Sequence, residues 1–118
     1  MPNQTTVEIV REIVRKRIEY RAAYEAALAA KVDELFTSLT EKFSTDITLI
    51  RGETSEYTLR TQVFDTYVQE RQTRLDFVEV FDRLYELFHS LGIAVNLQDE
   101  SEWVPREIKF NVHIFKTE

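Results

Sequence analysis

The chain has 118 residues, 43% hydrophobic and 31% charged, with a formal charge of -6, two glycines, two prolines and no cysteine. That is one domain's length with enough apolar content for a single core, and eight Phe, five Tyr and one Trp argue against disorder. Disulfide scaffolds, cysteine-ligated metal sites and membrane spans of ~18 apolar residues are excluded.

Charge divides the chain. Residues 1–44 carry seven acidic and seven basic side chains, whereas residues 45–118 carry fourteen acidic and eight basic, so the whole -6 belongs to the second zone. No Gly/Pro/Ser-rich linker separates the zones, so a single domain over 1–118 is expected, with 1–44 as a helical element and 45–118 as an acidic body.

Residues 5–43 read as one long helix, since no Gly or Pro occurs between Pro2 and Gly52. Thr5 or Thr6 is the expected N-cap, with Glu8 completing a capping box. At ~100° per residue, Val10, Val14, Tyr24, Leu28, Val32, Leu35, Leu39 and Phe43 share one arc, the pattern of a core-facing helix. Such a helix would be ~60 Å long, against ~35 Å for a compact domain of this size, so it must kink or overhang. An overhang with apolar residues asks for a partner.

Ile47–Arg51 and Tyr57–Val63 are rich in β-branched and aromatic residues, and with Gly52 between them they predict a hairpin. Thr73 is the expected N-cap of a second helix with a buried stripe of Phe77, Val78, Phe81, Leu84, Tyr85, Phe88 and Leu91, closed by Gly92. Residues 93–97 and 107–114 predict two further strands, joined by an acidic loop with Trp103 and Pro105. The order α-β-β-α-β-β predicts an α+β fold, two helices packed on a four-stranded antiparallel sheet.

Catalytic signatures are sparse. There is no Gly-x-Ser-x-Gly elbow and no phosphate-cradling glycine loop, because Gly52 and Gly92 are isolated. His89, in the last turn of the second helix, and His113, on the outer face of the last strand, read as cap and surface residues. Asp99 followed by Glu107-Ile108-Lys109 is similar to the carboxylate-lysine pattern of metal-dependent nucleases, which implies a divalent ion held by two carboxylates. Glu-x-Lys is common by chance in so charged a chain, so solvated charges are the stronger reading. No enzyme activity, cofactor or metal is expected.

Three surface features carry more. Arg11, Arg15, Lys16, Arg17 and Arg21 cluster at the head of the long helix. Glu8, Glu12 and Glu19 can neutralise part of this cluster, but Arg17 and Arg21 fall on the apolar arc, where they snorkel, pair with carboxylates such as Glu25, or hold an anionic partner. Ala22, Ala23, Ala26, Ala27, Ala29 and Ala30 lie away from that arc and would let a second copy's helix approach closely in a homodimer. Trp103 among Asp99, Glu100 and Glu102, together with Phe115, is a candidate exposed aromatic anchor.

The element order loosely resembles small phage tail-terminator and neck proteins, and acidic secretion chaperones of similar length. No motif carries either resemblance residue by residue, so it implies only an assembly role at the level of fold. The leading expectation is a non-enzymatic, homodimeric interaction protein of the viral accessory or inhibitor type, acting in the (host) cytoplasm on a partner with a basic surface. The alternatives are nucleic-acid binding through the arginine cluster, a phage structural role and, remotely, the metal nuclease.

Overall fold

The computed structural model describes residues 3–98 and 106–116. It is α+β, with the elements α1 (Gln4–Ser44), α2 (Ile47–Ile50), β1 (Ser55–Arg60), β2 (Asp65–Val68), β3 (Arg71–Arg74), α3 (Phe77–Ser90), β4 (Ile93–Leu97) and β5 (Glu107–Ile114). Trp103, Pro105 and the acidic residues Asp99, Glu100 and Glu102 lie outside the described residues.

α1 is unbroken over 41 residues. Its ~61 Å length at ~1.5 Å per residue accounts for most of the 69 Å long dimension of the molecule. The radius of gyration is 19.3 Å, where a compact chain of this length has about 13–14 Å. The helix therefore overhangs. Asn3 is its N-cap, accepting from the Thr6 N–H at 2.8 Å and the Thr6 hydroxyl at 2.9 Å. Neither Thr5 nor Thr6 caps it, because the Asn3 side chain reaches the free N–H groups one turn earlier.

The expected first hairpin is not formed. Residues 47–50 are a short helix instead of a strand, because Asp46 caps them by accepting from the Thr48 and Leu49 N–H groups at 2.9 and 3.3 Å. Local capping outweighs β propensity in so short a run. Gly52, at φ +84°, ends that helix, its N–H donating to the Leu49 carbonyl at 2.9 Å. The following strand stops at Arg60, and residues 61–64 form a 3-10 turn that buries Phe64.

The sheet differs accordingly. It is three-stranded, in the order β1-β5-β4, and a separate two-stranded hairpin pairs β2 with β3, so the single four-stranded sheet is replaced by two. All pairings are antiparallel. The hairpin turns on Gln69 (φ 50°) and Glu70 (φ 67°), two consecutive left-handed non-glycine residues in the backbone of a two-residue loop. Without Gly or Asn at these positions, the sequence carries no hairpin signal there. Thr73 lies in β3, and Asp76 caps α3 by accepting from the Val78 N–H at 2.9 Å.

The core sits between the C-terminal half of α1, one face of α3 and the inner face of the larger sheet. Leu28, Val32, Leu35, Leu39 and Phe43 of α1 meet Val80, Phe81, Leu84 and Phe88 of α3 over Ile108, Phe110 and Val112 of β5. Rings link these layers: Phe88 stands 4.7 Å from Phe36 and 5.3 Å from Phe43, and Tyr57 stacks on Phe110 at 5.8 Å. Alternation along β5 sends Glu107, Lys109, Asn111 and His113 to the opposite, polar face. The buried stripe of α3 is narrower than expected. Val80 is buried instead of Val78 and Tyr85, which stay exposed because the sheet covers only one side of the helix, and Leu91 is exposed as the C-cap beyond the last turn. Gly92 closes α3 at φ +90°, as expected.

Candidate functional site

The first four or five turns of α1 stand clear of the body as an arm. Ile9, Val10, Ile13, Val14, Ile18 and Tyr20 are all exposed, with Ile18 at 65% and Ile13 at 60%. At ~100° per residue these side chains cover about half the helix circumference, wider than the ~100° stripe that suffices for packing on one surface. On the outer side, Arg15 bridges Glu12 and Glu19, and its hydrogen bonds hold the Glu12 carboxyl below the usual range. These pairs are solvent-screened and serve the helix itself.

The two arginines on the apolar arc differ. Arg21 ion-pairs with Glu25 at 2.9 Å and lies 5.3 Å from the centre of the Tyr24 ring. Glu25 also accepts from Arg83 of α3 at 2.6 Å, which lowers its carboxyl pKa and ties the two helices together. Among the described residues Arg17 has no carboxylate partner. Arg17 is the one of the pair left to meet something else. The alanine cluster also divides: Ala22, Ala26, Ala29 and Ala30 are exposed, whereas Ala23 is half-buried and Ala27 packs on the core.

A groove runs beside the C-terminal half of α1. α1 and α3 lie side by side in the same direction, with Glu25 against Arg83 at one end and Phe36 against Phe88 further on. Ala29, Val32 and Asp33 face Glu86, Leu87 and Ser90 across one cavity of about 360 Å³. The next cavity, about 370 Å³, is lined by Phe36, Thr40, Phe43, Leu91 and Ile114 among others. Leu87, Leu91, Ile114 and Phe115 remain exposed around it, and the His89 ring stands 4.7 Å from Phe115 and 5.3 Å from Tyr85. This groove was not anticipated. Its signal is that Leu87 lies at the edge of the arc of Val80, Phe81, Leu84 and Phe88, and Leu91 continues that arc past the last helical residue, so the apolar surface of α3 extends beyond what one core contact uses.

The polar face of the sheet offers less. Glu107 lies opposite Arg60 and Lys109 opposite Thr58. Gln98 donates from Nε2 to Glu56 at 2.7 Å and to Asn111 at 3.1 Å. Asp99, the other carboxylate of the nuclease-like pattern, lies outside the described residues, and among the described residues no three acidic or histidine side chains converge to hold a metal ion. No helix among them is long and apolar enough to cross a membrane.

No family model, curated protein or solved structure matches the chain.

Proposed function

We propose that this protein is a non-enzymatic interaction protein that acts by occupying the surface of another polypeptide, with the arm of α1 as its docking element. One observation carries the reading: six apolar side chains stand exposed on a regular helix that nothing among the described residues covers. Scattered exposed apolar residues are ordinary, but a contiguous band over one helix face marks an interaction site. Helix-in-groove recognition uses anchors at this i, i+3, i+4 spacing, as in Val10, Ile13, Val14 and Ile18. The acidic body favours a basic surface wherever the partner extends beyond the arm.

A photo-crosslinking amino acid at position 13, which is exposed and outside the core, tests this in the native cell. Irradiation is expected to produce a discrete protein adduct. Absence of any protein adduct at positions 13 and 18 alike would overturn the proposal.

A further inference from the structure

We infer that the arm docks into the groove between α1 and α3 of a second copy of this chain, each copy giving its arm and receiving the other's. The inference rests on the interaction reading above and names its partner. Length, shape and charge each support it.

The arm, residues 4–20, is about 25 Å long, and the groove beside residues 29–44 of α1 is about 22 Å. The apolar arc of the arm is too wide for a single partner helix and suits a groove with two walls. Antiparallel pairing about a two-fold axis beside Glu25 places Val14 and Ile18 at the level of Phe36 and Val32 of the second copy. It turns Val10 towards Leu91 of the second copy's α3. The same register brings the small residues Ala22 and Ala29 together near the axis, where the helices come closest.

Charge agrees. The arm through Arg21 carries three glutamates and five basic residues, a net +2, and the body carries -6. Arg17, without a carboxylate partner among the described residues, arrives level with Glu86 and Asp33 on the groove wall. Glu25, at the axis, is paired with both Arg21 and Arg83, so two bare carboxylates do not meet there. Half the surface of a ~25 Å cylinder ~11 Å across is about 430 Å²; counting arm and groove in both symmetry-related contacts gives about 1,700 Å², the size of a stable protein interface.

Sedimentation equilibrium of the full chain is expected to give about 28 kDa, twice the 14.0 kDa chain mass. Ile18→Glu in the arm and Leu87→Glu in the groove, both at exposed positions, should each raise the dimer Kd by about 30-fold or more. Circular dichroism and melting of the separated monomers should remain unchanged. An equimolar mixture of the two variants should recover dimer, since one intact arm then meets one intact groove. Arg17→Glu and Glu86→Arg should each weaken the dimer and together restore it. A wild-type monomer at millimolar concentration overturns the inference, and a crosslink from position 13 to a different protein would then leave the interaction reading standing. A dimer that ignores Leu87→Glu, or arm and groove variants that fail to complement, also overturns it, pointing to arm-on-arm pairing.

Discussion

The Tyr57 hydroxyl on β1 donates to the Asp46 carboxylate that caps α2, joining two segments eleven residues apart through one hydrogen bond. This bond, with the Thr48 and Leu49 amides, holds the Asp46 carboxyl below its ordinary value near 3.8. In turn, burial first and the hydrogen bond to Asp46 second push the Tyr57 hydroxyl up. A depressed carboxylate contributes stability that is present above its unfolded pKa and lost as pH falls through the folded one. Tyr57→Phe should therefore lower stability by about 1 kcal/mol at neutral pH. The gap between Tyr57→Phe and wild type should close as pH drops below about 4, read by urea unfolding at pH 7 and pH 3. A gap unchanged at pH 3 would show that the hydroxyl acts by packing alone.

Phe88 is 1% exposed and touches both Phe36 and Phe43, so Phe88→Ala should cost about 3–5 kcal/mol. Ile13→Ala should change the stability of the monomer by less than about 0.5 kcal/mol, because Ile13 meets solvent on the arm. Chemical denaturation at a concentration low enough to keep the chain monomeric compares the two. Comparable losses would mean that the arm folds back on the body.

Gly52 and Gly92 share a left-handed backbone but not their surroundings. A Cβ at position 52 meets nothing within 4 Å, whereas at position 92 it would stand 2.8 Å from the Lys116 Cβ and 3.3 Å from the Lys116 carbonyl. Gly52→Ala should cost about 1 kcal/mol from backbone strain alone. Gly92→Ala should cost about 2–3 kcal/mol, since Lys116, just past β5, must also move. Thermal melts of the two variants should differ in that order.

Gln69 and Glu70 hold positive φ in the β2–β3 turn, where each L-residue is strained. Replacing the pair with Asn-Gly, by Gln69→Asn and Glu70→Gly, should stabilise the protein by about 1 kcal/mol. Equilibrium unfolding measures this, and a loss of stability would show that the two side chains make compensating contacts in the fold.

Much of the architecture is legible along the chain. Both long helices, the strands β4 and β5 and the Gly92 cap follow from periodicity and glycine placement, which are local properties. The charge split between a neutral helix and an acidic body is likewise a property of composition. The fate of residues 47–50 is not legible in this way, because their β-branched pattern competes with a single capping aspartate, and Tyr57, brought up by the sheet, secures that cap. The β2–β3 hairpin is hidden for a related reason: its turn is made by residues with no intrinsic preference for it, held by Arg74 against Asp65 and by Val68 in the core.

The arm shows the division most clearly. Val10 and Val14 repeat with the same spacing as Leu28 and Val32, and on that spacing all of them belong to one apolar face. Periodicity states that a helix has such a face, but burial depends on what the rest of the chain brings to it. β5, α3 and the small hairpin reach only the second half of α1, so Leu28 is fully buried while Val10 is 54% exposed. The sequence by itself determined a long amphipathic helix and an acidic body. Only the tertiary structure decided where the core ends along that helix, because a core is bounded by the reach of the elements packed against it.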